Sequence, residues 1–406
     1  MRTGSARLRV VVVGGSLGGL NAALWLRDVG CEVNVFERTP IPLEDRGSGI
    51  VLHPSTIRYV TTHQTNALQD IGASARWVRY LEENGEIDAQ IPCQYHFTSY
   101  QTLYVGLIKA LGADRYHLGE ECIGFDQDDD EVVVRFATGR EERCDLLVCA
   151  DGVNSTARRI LAPDIVPHYA GYVAWRGGVA ESMLSAGAFN TLHEAFTYHL
   201  MPDGHILAYP IPQKDAPADP DKRLSNWLWY RNVTEGEELQ QLLVGRRGEQ
   251  FTASVPPGFV QDRHLDQMRQ DAAGLPPQFQ ELIAKTTDPY LQVISDVESS
   301  RMVWGRVCLI GDAAFTARPH AAAGTAKAAE NAWTLAQAIG QGGGLDSALA
   351  RWEADQVSLG AQLVARSREV GDRLQSGRFT ASDPLPFGLY TAGDSVIETD
   401  GPGVLD

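Results

Sequence analysis

Short apolar runs alternate along the chain with stretches of helical spacing. Val10-Val11-Val12-Val13 is β-branched, too short for a helix and free of polar alternation, as expected of a strand buried on both faces of a parallel sheet. Gly14-Gly15-Ser16-Leu17-Gly18-Gly19 comes next, and Leu17, Leu20, Leu24 and Val29 then recur near helical spacing as far as Gly30. With a second strand over Glu32 to Glu37, this makes a strand, loop, helix, strand unit. Val132 to Phe136 comes after the acidic turn Asp128-Asp129-Asp130, and a turn at Gly139 leads back to a buried strand, Leu146 to Ala150. Between 166 and 235, Tyr172, Trp175, Phe196, Tyr198, Tyr209, Trp227, Trp229 and Tyr230 are interleaved with polar residues and turns, which predicts an antiparallel sheet carrying aromatic side chains. Residues 213 to 222 read as a polar surface loop within it. A third buried strand, Val307 to Ile310, precedes a Gly- and Ala-rich segment running into helix, and Trp352, Leu359 and Leu363 predict another helix before a Gly- and Pro-rich tail. The parallel elements flank the aromatic insertion. The expected division is therefore discontinuous: 1–70, 97–165 and 296–370 in one domain, 71–96 and 166–295 in a second, with 371–406 as a tail.

Composition narrows the class. The chain of 406 residues, 44% hydrophobic and 21% charged, has the balance of an ordinary globular protein. Its 35 Lys and Arg stand against 52 Asp and Glu, a formal charge of −17, so nucleic acid is not an expected partner: that affinity rests on cations that neutralise phosphates. Six scattered cysteines show no C-x-x-C spacing and read as reduced thiols, and no metal site is expected. Arg2, Arg7 and Arg9 precede an apolar stretch that glycines interrupt at once, and no segment approaches the ~20 apolar residues that span a bilayer. The expectation is a cytoplasmic protein with no membrane partner.

Three segments carry candidate chemistry. In the first, glycines between a strand and a helix let backbone N–H groups approach a pyrophosphate, whose charge the helix N-terminus stabilises. The middle glycine of G-x-G-x-x-G is Ser16 here, and Glu37 ends the second strand where a carboxylate can hold ribose hydroxyls. A merely packed glycine turn is the alternative; the pairing with Glu37 favours dinucleotide binding. In the second, a buried strand runs into Asp151-Gly152 and on to Arg158. In the third, Gly311-Asp312-Ala313-Ala314 succeeds a buried strand, with Pro319 and Gly324-Thr325 opening a helix whose N-terminus can face a ring that gains negative charge on reduction.

In order and spacing, the three together resemble the single-component, FAD-dependent aromatic hydroxylases related to p-hydroxybenzoate hydroxylase. The resemblance implies an α/β fold class: a Rossmann-like FAD-binding domain, a mixed or antiparallel β-sheet substrate domain inserted in it, and C-terminal helices. It implies FAD held by Gly14, Ser16 and Gly19 at the pyrophosphate and by Glu37 at the ribose, with Gly15, Leu17, Gly18 and Arg38 among the cofactor-binding residues. Arg46 is placed beside the flavin, Asp151 and Arg158 in the motif serving FAD and the nicotinamide donor, Gly311 and Asp312 at the ribityl chain, and Ala323, Gly324 and Thr325 at the ring. Three positions depart from the family pattern: Phe315 where His is usual, Tyr100 where an Arg is usual, and His320-Ala321-Ala322-Ala323 in place of a glycine-rich run.

Residues 171–178 and 226–233 resemble a branch acting on hydroxylated N-heteroaromatic rings. The same resemblance implies that NADH or NADPH reduces FAD, that O2 adds to give a flavin C4a-hydroperoxide, and that OH passes to an electron-rich ring, as in conversion of 2,6-dihydroxypyridine to 2,3,6-trihydroxypyridine. A homodimer is implied as well. Deprotonating a ring hydroxyl activates the ring, so a base of near-neutral pKa is sought. His193, His199, His205, Tyr198 and Tyr209 lie in the aromatic insertion; His205 and Tyr209, with Pro319, make the expected catalytic set, while a surface strand histidine is the plainer reading of His205. A disulfide reductase is disfavoured because Cys31 has no close partner, and a flavin halogenase because Trp227-Leu228-Trp229 continues into Tyr230-Arg231-Asn232. An amine oxidase of related fold and a non-catalytic FAD-binding protein stay open.

Overall fold

The computed structural model describes residues 7–43, 49–63, 71–213, 216, 219 and 221–396. Arg46 lies outside the described residues.

The valine run does form a buried strand, Arg9–Val13, at the middle of a six-stranded sheet. It pairs in parallel with Glu32–Glu37 on one side and Leu146–Cys149 on the other, with Val11 opposite both Asn34 and Leu147. Val307–Leu309 adds in parallel beyond Leu146–Cys149. All three candidate motifs thus begin at the same end of adjacent parallel strands, where ligands of open α/β sheets bind. Leu17–Asp28 and Gly324–Gly340 are the helices that come after the first and third of these strands.

A second, ten-stranded sheet holds the aromatic insertion. His168–Ala180, Arg223–Asn232, Gly204–Pro212 and Ala195–Met201 are successive antiparallel neighbours, and Ala195–Met201 then pairs in parallel with Ala73–Leu81, which makes the sheet mixed. Strand alternation sorts the aromatic residues by type. Val173, Trp175, Ile206, Ala208, Trp227 and Trp229 pack on one face against the helices Asp262–Asp271 and Pro277–Lys285, where Trp227 Nε1 donates to Thr286 Oγ1 at 2.8 Å. Tyr172, Phe196, Tyr198, Leu207, Tyr209 and Tyr230 pack on the other. Both faces are covered, so every residue of Gly204–Pro212 is buried. That corrects the surface reading of His205, which is 0% exposed.

Sheet membership departs from the expected division in two places. Gly49–Val51 and the end of Ile87–Ser99 pair with each other in the large sheet, and Phe315–Thr316 adds to its strand Tyr290–Glu298. The tail differs too. Helix Leu345–Leu374 runs past residue 371, and the chain beyond it folds back so that Phe387 packs edge-on against Tyr95 and Phe196, with centroids at 5.3 and 5.1 Å. Gly388 N donates to Ala321 O at 3.0 Å, tying this segment to the turn before Gly324–Gly340. Interspersed polar residues hid this docking, because Phe379, Phe387 and Leu389, which it buries, form no regular pattern. Phe387→Ala is expected to leave a cavity costing on the order of 3 kcal/mol and to lower the melting temperature by several degrees; an unchanged melting temperature would show that the tail is not part of the core.

Candidate active site

The first motif is a turn with almost no spare volume. Gly14 has φ +101°, and a Cβ on it would sit 2.3 Å from Ala150 O. A Cβ on Gly19 would lie 1.9 Å from Gly14 O, and one on Gly15 2.2 Å from Tyr116 Oη. Protein packing therefore demands these glycines, and the turn they permit aims the start of helix Leu17–Asp28 at a cavity of about 260 Å³. Ser16 precedes the helix without capping it; its Oγ pairs with Tyr100 Oη at 2.9 Å, which leaves the first-turn N–H groups for an anion. Leu17 contributes only backbone there, since its side chain is in the core. Tyr100, the departure from the expected Arg, lines the same cavity.

Glu37 reaches the cavity with most of its capacity already used. Its Oε2 accepts from Gly15 N at 2.8 Å, and its Oε1 accepts from Thr39 N at 3.0 Å and Thr39 Oγ1 at 2.7 Å. The carboxylate braces the glycine turn and presents a pre-aligned edge to the cavity, which Arg38 also lines. Asp151 lies opposite. Its Oδ2 caps the helix Thr156–Leu161 by accepting from Thr156 N at 2.7 Å and Ala157 N at 3.2 Å, while its Oδ1 is buried with no partner among the described residues. A buried carboxylate oxygen without a donor is costly, so an incoming hydroxyl or N–H suits it.

Arg158 takes a different place from the expected one. It is 1% exposed, and its guanidinium donates to Val153 O, to Ile165 O at 3.2 Å and to Ala313 O at 2.9 Å. It fastens the second motif to the third. The two helices are joined as well: Ala328 Cβ lies 3.2 Å from where a Cβ would stand on Gly18 and equally near one on Gly311.

At the third motif Gly311, with φ +60°, donates its N–H to Asn331 Oδ1 at 3.0 Å. Asp312 Oδ1 accepts from Lys327 Nζ at 3.2 Å, and Lys327, 1% exposed, also donates to Phe315 O. Burial lowers the Lys327 pKa, with Asp312 opposing that shift. Sequence reasoning missed Lys327; a lysine in the first turn of an alanine-rich helix, on its inner face, was the available signal. The side chain of Asp312 remains half exposed. Ala323 and Thr325 flank Gly324, where an added Cβ meets nothing within 4 Å among the described residues beyond its chain neighbours and its own helix backbone. Helix Gly324–Gly340 starts without a side-chain cap.

A tight cluster stands on the tyrosine-bearing face of the large sheet. His205 stacks on Tyr230 with centroids 4.5 Å apart and lies 5.4 Å from the ring of His320, whose Nε2 pairs with Tyr172 Oη at 2.7 Å. Pro319 opens the short turn Pro319–Ala321 that carries His320. Burial lowers the His205 pKa to about 3, against a smaller opposing effect of its bond to Gln375. The near-neutral base that sequence reasoning sought is thus replaced by a neutral imidazole whose Nε2 is buried without a partner among the described residues. Tyr209 is on the same face, but its Oη donates to Gly49 O at 2.9 Å and burial pushes its phenol up, so it stays protonated. His193 pairs with Glu181 at 2.9 Å and His199 with Leu81 O at 2.8 Å, so neither joins the cluster. Gln375 was not singled out in the sequence; Tyr172 stood there as one of the sheet's aromatic residues and His320 as a departure from the family pattern, neither as a candidate catalytic residue.

Three motifs at the same end of adjacent parallel strands, beside a second sheet with an aromatic face, are the frame of a flavin-dependent oxidoreductase. Residues 7–176 match the family described as FAD binding domain, and residues 169–296 the one described as FAD binding domain-like. The chain is 38% identical to 2,6-dihydroxypyridine 3-monooxygenase of Paenarthrobacter nicotinovorans, over 97% of this chain and 98% of that protein. It is 27% identical to 6-hydroxynicotinate 3-monooxygenase of Pseudomonas fluorescens, over 84% and 85%. The solved structure of 2,6-dihydroxypyridine-3-hydroxylase from Arthrobacter nicotinovorans superposes with a TM-score of 0.90 at 37% identity, covering 99% of this chain and 100% of that one. The chain belongs to the FAD-dependent aromatic-ring monooxygenases. The unpartnered Asp151 Oδ1 and the open space at Gly324 fit that cofactor.

This geometry has two measurable outcomes. Gly19→Ala forces a backbone collision and is expected to lower the apoprotein melting temperature, whereas Gly324→Ala leaves it unchanged or raises it slightly, Ala being favoured over Gly in a helix by up to about 1 kcal/mol. Gly324→Ala is expected to weaken FAD binding even so; FAD titration of the apoprotein that shows equal affinity would remove residue 324 from the cofactor site. The second outcome concerns acid. Burial lowers the His53 pKa to about 4, opposed by a bond to Ala322 O, and that of His205 to about 3. Below pH 6.5 the unfolded chain binds protons that the folded chain refuses, so stability falls with pH, by about 1.4 kcal/mol per unit for each group, down to those values. Melting temperatures at pH 7 and pH 5 should differ less in His53→Gln than in the wild type, and an equal difference would contradict the assignment.

Proposed function

We propose that the chain hydroxylates an electron-rich, hydroxylated N-heteroaromatic ring, with NADH or NADPH and O2 as co-substrates, and that its substrate is 2,6-dihydroxypyridine, converted to 2,3,6-trihydroxypyridine. The observation that carries the reading is His205: a neutral imidazole with a bare, buried Nε2 among Tyr230, Tyr198 and His320. Similarity along nearly the whole chain to a dihydroxypyridine monooxygenase supports the choice of ring.

When bound, FAD supplies the reduction by nicotinamide and the activation of oxygen. Gly14, Ser16 and the start of helix Leu17–Asp28 hold its pyrophosphate, Glu37 its ribose, and Asp312 with the start of helix Gly324–Gly340 its ribityl chain and ring. His205 Nε2 accepts a hydrogen bond from a ring hydroxyl or ring N–H, drawing electron density from the O–H or N–H bond into the ring. Because burial disfavours imidazolium, the residue polarises and orients the donor and does not store its proton at neutral pH. Tyr172, Tyr198 and Tyr230 form hydrophobic walls with polar edges that exclude water from the reacting carbon. The same reading includes a place in the cytoplasm, supported by cysteines that are all unpaired, and a homodimer, as the family resemblance implies.

A panel of hydroxypyridines and hydroxybenzoates tests the substrate. The highest yield of hydroxylated product per nicotinamide consumed is expected with 2,6-dihydroxypyridine; better coupling with a hydroxybenzoate would overturn the assignment. His205→Asn is expected to lower that yield about tenfold or more, in line with loss of a buried hydrogen bond to the reacting group.

A further inference from the structure

The tautomer of His205 is set by a chain of hydrogen bonds that starts at a backbone carbonyl. Gln375 is the residue just past helix Leu345–Leu374, and its own N–H donates to Gly371 O at 2.9 Å, so the helix end fixes its backbone. Asn232, at the end of strand Arg223–Asn232, lies 3.3 Å from Gln375 O through its side-chain Nδ2. A backbone carbonyl only accepts, so the Asn232 amide nitrogen must face it, which turns Asn232 Oδ1 towards the Gln375 side chain. That oxygen also only accepts; the group it meets at 2.8 Å is therefore Gln375 Nε2. The remaining end of the Gln375 amide, Oε1, then faces His205 Nδ1 at 3.1 Å and requires a hydrogen there. Each orientation is dictated by the one before, so neither amide is free to flip.

We propose that Gln375, anchored by Asn232, is a positioning residue that fixes His205 as its Nδ1–H tautomer and thereby presents a bare Nε2 to the ring hydroxyl or ring N–H of the substrate. The proposal rests on the reading of His205 as the substrate's acceptor and adds the group that makes it one. With the other tautomer, Nε2 would carry a hydrogen and oppose a hydroxyl donor. The groups facing His205 are Tyr230, Tyr198 and His320, all without formal charge in their neutral forms. Two fixed cations belong to this face: Arg318, which stands beyond Tyr172 and is paired with Asp296 and Asp372, and Arg176, which is buried and acts on Tyr230 and Tyr209. None of these supplies an acceptor to Nδ1, which leaves the choice of tautomer to Gln375. The arrangement also gives the segment after residue 371 a direct part in the site.

The test is ring-nitrogen NMR on holoenzyme labelled with 15N-histidine, with the His205 signals assigned by their loss in His205→Asn. Wild type is expected to show a protonated Nδ1 and a bare Nε2 between pH 6 and 8. In Gln375→Leu the signals should move to the Nε2–H tautomer or a mixture, and product per nicotinamide consumed should fall about tenfold. Gln375→Glu keeps an acceptor at Nδ1 and should restore the tautomer. Its carboxylate favours imidazolium, so this variant should also acquire a loss of coupling on the acid side of the pH profile that wild type lacks. A protonated Nε2 in wild type, or an unchanged tautomer and coupling in Gln375→Leu, would overturn the proposal; the wild-type spectrum decides even if the leucine variant fails to fold. A Gln375-dependent tautomer together with full coupling in His205→Asn would instead contradict the role of His205 and leave the tautomer control standing.

Discussion

Two backbones in near contact govern the cofactor half of this molecule. Gly14 meets Ala150 O so closely that no side chain fits between them, and Gly19 meets Gly14 O more closely still. These approaches bring the ends of strands Arg9–Val13 and Leu146–Cys149 together and start helix Leu17–Asp28 against the turn. Glu37 locks the arrangement from the neighbouring strand through Gly15 N. The anion-binding helix end and the carboxylate edge beside it are thus consequences of one packing constraint. The packed glycine turn and the ligand cradle stand as alternatives in the sequence, but the packing does not exclude the cradle, since it leaves the helix start uncapped beside the cavity.

The substrate half depends on alternation in a sheet covered on both faces. Tryptophans of two strands, His168–Ala180 and Arg223–Asn232, point to the helices behind, where Trp227 finds Thr286, and tyrosines of the same strands point forward. A tyrosine face keeps polar edges available among apolar walls, which suits a small ring carrying hydroxyl groups. Burial sets the electrostatics of that face. It pushes the tyrosines up and the histidines down, so these groups stand as neutral donors and acceptors, with Arg176 a buried cation acting on Tyr209 and Tyr230.

Much of the first half was legible because strand ends, glycine spacing and acidic residues at fixed positions are local features. Leu146–Cys149 and Val307–Leu309 were visible as apolar runs, and Glu37 as a strand-end acid. What the chain concealed is long-range. Arg158 reads as a ligand contact but spends its donors on carbonyls as far away as Ala313, and Lys327 becomes meaningful only beside Asp312, 15 positions earlier. Gln375 sits in a stretch that looks like a polar tail, and its partner His205 is 170 positions away. His205 itself was visible as a residue but not in its state: burial on both faces of a strand depends on layers contributed by 262–285 and 319–389, which no local pattern announces.

The most direct test of the account is the source of oxygen in the product. Holoenzyme supplied with NADH or NADPH, 2,6-dihydroxypyridine and 18O2 should yield trihydroxypyridine carrying one 18O atom per molecule, with no label when the oxygen is unlabelled and the water is H2 18O. Label derived from water, or consumption of nicotinamide that yields only hydrogen peroxide with every ring in the panel, would contradict the reading of this chain as a ring hydroxylase of that substrate class.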